Sequence, residues 1–421
     1  MTQAAAPRFL PTLAVFLLPW LCCPPAQGLE LPLEWQVFQR RDDESAEVTI
    51  AGEVPPDATL VEGKADLPLG LRGKADLPLG LRGKADLPLG LRGKADLPLG
   101  LRGKADLPLG LRGKAVDWTV IASDTQIKDG NFSGSIPLQA GGWYRITVRF
   151  RTSAADPASL AESTVEHVGV GDVFVTAGQS NSSNHGQEKQ TPKSGLVSAF
   201  DGQRWQVAND PQPGASGGQG SFMPPFGDAM AEQFKVPVGI IACGIDATSV
   251  REWMPKGTKF PNPPTLEGHV RKLPEGGWES KGDIYKMFTA RMKQLGPHGF
   301  RAVLWHQGES DADQPDPKRT LIGKPYRQLL EQLIRDSRRE IGWEAPWVVA
   351  LVSSHGGEGV PELRDAQKSL WDEGVAVEGP DSDALRGALR DGVHFSSKGL
   401  QKHGHLWAEK VSAWMLHKGI Q

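Results

Sequence analysis

The sequence predicts a doubly wound α/β domain preceded by a small β-sandwich, and three patterns predict it. Short alternating apolar stretches fill residues 29–168, continuous apolar runs alternate with amphipathic segments over 169–418, and an unchanging decapeptide interrupts the first region at 63–112. A chain of 421 residues is long enough for two such units.

Residues 1–28 carry one cation, Arg8, then an apolar run over 9–23 broken by prolines, then small residues at Ala26 and Gly28. That layout predicts a signal peptide cut after Gly28, hence a secreted or periplasmic protein. The run is too short and interrupted to favour a membrane span, and no later stretch is long and apolar enough for one. Lipid attachment at Cys22 or Cys23 is disfavoured by bulky Trp20 and Leu21, which stand where small residues would be wanted. After cleavage only Cys243 would remain, so no intrachain disulfide is expected despite the oxidising destination. Net charge is -3 with Lys and Arg scattered among Asp and Glu, which argues against nucleic acid as a partner.

In the first region the alternating stretches are 34–38, 46–50, 117–121, 142–150 and 163–168, with turn pairs such as Asp129-Gly130 between them. An accessory role is expected of this unit. The inserted decapeptide, Gly-Lys-Ala-Asp-Leu-Pro-Leu-Gly-Leu-Arg, occurs five times from Gly63 to Arg112 with one net positive charge per copy. It reads as a sequence expansion carried as an exposed loop, because one Pro and two Gly in every ten residues oppose helix and strand alike. A cationic arm for acidic polysaccharide, or a small solenoid, is the competing reading.

In the second region the apolar runs 173–176, 236–242, 300–305 and 347–352 have the character of buried parallel strands. Helical periodicity joins Phe226, Ala229, Met230 and Phe234, then Tyr326, Leu330, Leu333, Ile334 and Ile341. Two more helices are predicted over 361–371 and from Ser397 onward. In such a sheet ligands bind beyond the carboxyl ends of the strands. That rule picks out Gly178-Gln179-Ser180-Asn181, Cys243-Gly244-Ile245-Asp246-Ala247, His306-Gln307-Gly308-Glu309-Ser310-Asp311 and, before the last helix, Asp391-Gly392-Val393-His394.

Acyl transfer needs a hydroxyl, a base, a group that holds the base, and donors for the oxyanion. Ser180, His394 and Asp391 fill the first three roles, with Gly178 allowing a sharp turn before the serine. These blocks, taken as Gly178-Gln179-Ser180-Asn181, Trp305-His306-Gln307-Gly308-Glu309-Ser310-Asp311 and Asp391-Gly392-Val393-His394, resemble the sialate O-acetylesterase-like branch of the SGNH hydrolases, related to the carbohydrate acetylesterases.

The resemblance covers about residues 169–418 and implies a three-layer, flavodoxin-like α/β sandwich. It also implies a serine esterase acting on acetylated glycan without cofactor or metal, with Ser180 as nucleophile, His394 as base then acid, and Asp391 as orienter. Its oxyanion donors would be the Ser180 N–H, the Gln307 side chain and a backbone N–H after the second strand. There the chain departs from the pattern, with Asp246-Ala247 where relatives often carry paired glycines, so Gly244 and Ala247 both stay open for that last donor.

Blander roles compete at each position. Ser180 could cap a helix, Gln307 could be a buried amide tying loops together, and Glu309 and Asp311 read better as loop braces than as a glycosidase-type pair. Gln179, Asn181, His185 and Glu309 are candidates for substrate contact, and His185 could equally only support its loop. Trp205, Trp253 and Trp278 lie in loop-like stretches where they could stack on sugar rings. The pair His403 and His405 is not read as a zinc site, since residues two apart on a helix do not share a face. Rival functions are an esterase for non-sugar esters, a noncatalytic carbohydrate-binding relative, and a surface interaction protein that works through the repeat.

Overall fold

The computed structural model describes residues 29–67, 113–312 and 314–421. The expected leader, 1–28, and most of the repeat, 68–112, lie outside the described residues. The fold is mixed α/β. Its centre is a run of parallel strands in the order Val238–Ala242, Ala161–Gly178, Ala302–His306, Trp347–Leu351, Val377–Asp381, which is 2-1-3-4-5 in chain order. Val197–Phe200 and Trp205–Val207 extend the sheet past Val238–Ala242. All five residues of Val238–Ala242 are buried, as are all five of Ala302–His306, which is why these strands are legible as unbroken apolar runs.

Helices fall into two groups. Met223–Phe234 packs on Ser397–His417, while Gly323–Ile341 packs on both Asp283–Gln294 and Pro361–Asp372. Each buries one stripe. In Gly323–Ile341 it is Tyr326, Leu330, Leu333, Ile334 and Ser337, and Gly342 ends the helix in the left-handed conformation that glycine adopts freely. The helix Asp283–Gln294 and the strand Val377–Asp381 have no counterpart in the sequence reading.

Before this sheet, Ser45–Glu53 pairs antiparallel with Asn131–Gln139 along its full length, and Leu29–Leu31 adds a third strand. Inward residues Val48, Ile50, Ile136 and Leu138 alternate with outward polar ones. They share one core with Gly141–Arg151 and its neighbours, and Phe132 meets Phe150 edge to face at 5.8 Å.

Two features differ from the sequence reading. The start of the first decapeptide is not loop: Leu60–Asp66 is a strand, paired with both Val116–Ser123 and Gly141–Arg151, with Gly63 and Ala65 facing inward. A Cβ on Gly63 would lie 2.4 Å from Ile121 Cδ1, so the glycine is set by packing. Removal of 63–112 would supply Gly113-Lys114-Ala115 in its place but leave no turn before Val116.

The second difference is that the expected boundary at 168/169 falls inside one strand. The first part of Ala161–Gly178 pairs with Gly141–Arg151 up to Val170, Gln36–Gln39 pairs with 168–171, and from Asp172 the same strand joins the parallel sheet. Asp172 is buried at that hand-over. Arg40 reaches it from one side at 2.9 Å and Arg301 from the other at 2.9 Å. Burial alone would raise this carboxyl, but Arg301 and Arg40 outweigh it and hold it below its ordinary value.

Candidate functional site

In the 2-1-3-4-5 order the connection reverses direction between the first and third strands, and the crevice beyond their carboxyl ends is the expected ligand position. Both ends carry predicted site residues. Gly178, at φ +125°, lies beside His306, and a Cβ there would be 2.0 Å from the His306 carbonyl oxygen. Only glycine permits this approach, after which the chain enters the 3₁₀ turn Ser180–Ser182. Gln179 occupies the cap position, not Ser180, and the Ser180 hydroxyl makes no hydrogen bond among the described residues. At 2 % exposure the serine is buried.

His394 reaches the same place on a short hairpin, Arg390–Asp391 with His394–Phe395, which packs against the Ser180–Ser182 turn. The Val393 carbonyl fixes the hairpin: Asn181 Nδ2 donates to it at 3.1 Å and Arg390 Nη1 at 2.7 Å. Arg390 also donates to Ser382 O and Leu385 O and lies over the Phe395 ring. Residues 181 and 393 are thereby joined directly, so the segments that carry Ser180 and His394 lie side by side.

Half-burial lowers the His394 imidazole below its ordinary 6.5, with the neighbouring His185 adding to the effect; Asp246 and, less strongly, Asp391 oppose it. The ring is therefore neutral at pH 7 and able to accept a proton. Asp391 is exposed and faces His394 across the hairpin. Asp246 and His185 are close as well, with one nitrogen or oxygen of each and of His394 lying within 4.8 Å of one another. The sequence reading treated Asp246 only as a departure in the loop; its position at the end of the second strand was the available signal.

The third block is a buried brace. Gln179 Oε1 accepts from Ser310 N at 2.9 Å and from Gly308 N at 3.3 Å. Gln307 Nε2 lies 2.8 Å from Asp311 Oδ2, 3.2 Å from Thr248 O and 3.3 Å from Gln179 Oε1, so a bond to an oxyanion would have to replace one of these. Asp311 also takes Val250 N–H and pairs with buried Arg251. Glu309 accepts from Asn181 Nδ2 at 2.8 Å through one oxygen, its other oxygen is buried without a partner among the described residues, and burial raises its carboxyl to about 7. Gln179, Asn181 and Glu309, candidates for substrate contact, are thus all buried and tie the three blocks together.

After the second strand, Gly244 lets the loop press on the Ser180–Ser182 turn, since a Cβ would stand 2.4 Å from Ser182 O. Ile245 N–H and Asp246 N–H are spent on Gly178 O and Ser216 Oγ, so the backbone donors of 244 and 247 remain the candidates for an oxyanion. Ala247 has φ +55°, a left-handed geometry that glycine adopts at less cost than alanine.

Two aromatic candidates are corrected by the structure. Trp253 is fully buried among Phe288 and Trp305, and Trp205 is a buried strand residue stacked on Phe200. Neither presents a face to solvent; Trp278 is half-buried on the strand Trp278–Ser280. His403 is buried and His405 exposed, on different faces of their helix.

A family model for carbohydrate esterases, sialic acid-specific acetylesterase, matches residues 170–413. A probable carbohydrate esterase of Arabidopsis thaliana is 21% identical over 226 residues, which is 47% of this chain and 75% of that protein. Among solved structures, a carbohydrate acetylesterase from Xanthomonas citri is 16% identical with a TM-score of 0.48, covering 93% of this chain and 76% of its own. NanS is 15% identical with a TM-score of 0.39, covering 58% and 98%.

Proposed function

Because the chain belongs to the sialic acid-specific acetylesterase family of carbohydrate esterases, we propose that it removes O-acetyl groups from glycan through an acetyl-enzyme on Ser180. What supports this reading is one contact: the Asn181 Nδ2 bond to Val393 O, 3.1 Å long, which sets the serine turn and the histidine hairpin side by side at the reversal of the sheet. The Ser180 oxygen bonds to the acetyl carbon while its proton passes to His394. The tetrahedral centre then collapses as the imidazolium returns that proton to the departing sugar oxygen. Water repeats the sequence on the acetyl-enzyme and releases acetate.

Ser180 N–H and a backbone N–H at Gly244 or Ala247 are the main oxyanion donors in this reading, with the Gln307 amide behind them. Asp391 stabilises the imidazolium that forms. The N-terminal strands read as an accessory β-sandwich, and residues 1–28 as an export signal.

The test is release of acetate from a panel of O-acetylated sialosides and xylo- and gluco-oligosaccharides, run beside acyl lipids. Ser180→Ala is expected to remove nearly all turnover while the protein stays folded, and the wild type to react with a fluorophosphonate at Ser180. Retained turnover in the alanine variant, or no fluorophosphonate labelling, overturns the serine mechanism. Preference for acyl lipid overturns the glycan assignment.

A further inference from the structure

The imidazole of His394 belongs to a cluster with a second chemical capability. One ligating atom each of His185, Asp246 and His394 lies within 4.8 Å of the other two, and all three residues are half-buried. Zinc holds nitrogen and carboxylate ligands at about 2.0–2.2 Å, so tetrahedral ligands stand roughly 3.3 Å apart. Two imidazoles and one carboxylate suit zinc and its neighbours, and not calcium or magnesium, which take oxygen ligands.

The three ligands come from three segments whose backbones are fixed to one another. Ser216 N donates to Gly244 O at 2.9 Å, and Ser216 O accepts from Asn184 N at 2.9 Å. The Ser216 hydroxyl takes Asp246 N–H at 2.7 Å and lies 3.4 Å from His185 Nε2. Gly217, at φ +88°, gives His185 its room, since a Cβ there would be 2.7 Å from Nε2. The third ligand rides on the hairpin held by Asn181 and Arg390. Such bracing behind the ligands is what a metal site requires of its surroundings.

We propose that His185, Asp246 and His394 form a transition-metal site of the zinc type, and that filling it reversibly inhibits ester hydrolysis. The inhibitory half rests on the reading of His394 as the base. A neutral imidazole bound to a metal through one nitrogen carries its proton on the other, so neither nitrogen keeps a lone pair for the Ser180 proton. The ligand is a divalent cation, and the effect is removal of the base, with no bond made or broken in substrate.

The two readings separate experimentally because binding is measured where turnover is absent. Zn²⁺ is titrated calorimetrically into the full-length Ser180→Ala protein, and Co²⁺ is followed by visible absorption. One equivalent with a tetrahedral-type spectrum is expected, with affinity weakened about tenfold or more when His185→Gln or Asp246→Asn is added. Circular dichroism confirms that each variant is folded, and the two variants guard against a fold defect in either one.

In the wild type, acetyl-ester hydrolysis is expected to fall over the same Zn²⁺ range and to return with a chelator. No saturable binding, binding insensitive to both substitutions, binding without inhibition, or stimulation by Zn²⁺ each overturns the proposal. An intact metal site in a wild type that hydrolyses no ester when metal-free would instead remove the esterase reading and the inhibition with it.

Discussion

Glu309→Gln isolates the energetic cost of placing a carboxylate beneath the site. Burial raises the Glu309 carboxyl from 4.5 to about 7, and across that interval each pH unit costs the folded state about 1.4 kcal/mol relative to the unfolded chain. For an acid whose value is raised on folding, the stability of the neutral form is complete below 4.5 and is lost as pH climbs through about 7. At pH 8 the loss is complete and amounts to about 3 kcal/mol.

Glutamine keeps an oxygen for Asn181 Nδ2 and cannot ionise. The variant should therefore gain on wild type by about 2 to 3 kcal/mol between pH 5 and pH 8. Any fixed cost of the new N–H₂ beside the unpartnered oxygen position cancels in that difference. Urea unfolding followed by tryptophan fluorescence at the two pH values measures it. An unchanged gap between variant and wild type would refute the account of Glu309 as a buried acid held neutral.

Four further outcomes follow from other parts of the structure. In metal-free buffer kcat/KM should fall on the acid side with an apparent value below 6.5, because hydrolysis needs the neutral His394 and burial lowers its proton affinity; a limb above 6.5 would contradict this. Asp246→Asn should move that limb further toward acid than Asp391→Asn, since both carboxylates favour the imidazolium and Asp246 does so more strongly; the opposite order would make Asp391 the dominant partner. Asp172→Asn should destabilise the whole chain by about 3 kcal/mol or more in urea, as it strands Arg40 and Arg301 around a buried neutral amide; a loss under about 1 kcal/mol would show the pairs to be dispensable. Deleting four copies, 73–112, should leave melting temperature and esterase activity unchanged, whereas deleting 63–112 should lower the melting temperature because it removes Gly63 to Asp66 from the strand that pairs with Val116–Ser123 and Gly141–Arg151.

Sequence periodicity located the uniformly buried strands and alternating ones such as Ser45–Glu53, and missed the point where one strand passes from half-buried to buried. Val173 to Thr176 and Val238–Ala242 stand out because both faces of each strand are covered. Ala161–Gly178 alternates through His167 and is buried continuously from Val168, so a change of environment along one straight strand looks like a change of domain. Gly63 and Ala65 point inward, but with Pro68 so near there are too few residues to display the alternation.

The helix Asp283–Gln294 escaped because its inward face is only Ile284, Phe288, Thr289 and Met292 amid charged neighbours. At the site, the strand-end rule picks out the segments of Ser180 and His394, and the structure joins their neighbours Asn181 and Val393 by a hydrogen bond. The same rule reaches the segment of Asp246, but which of its residues approaches His394 is set by the fold and not by anything local to either residue. Trp253 shows the same limit from the other side: its neighbours in sequence are loop-like, and its burial comes from Phe288 and Trp305.

The strand that ends at the nucleophile's turn is also a mechanical member. Its eighteen residues reach roughly 55 Å when extended, and it ends at Gly178, two residues before Ser180. Recombination or truncation at its midpoint would sever a rod, not a tether, and would leave the arginines around Asp172 without their clamp. The N-terminal layers are therefore not interchangeable cargo. The N-terminal strands and the turn at Ser180 share one backbone element, so a displacement of either is passed along the strand to the other.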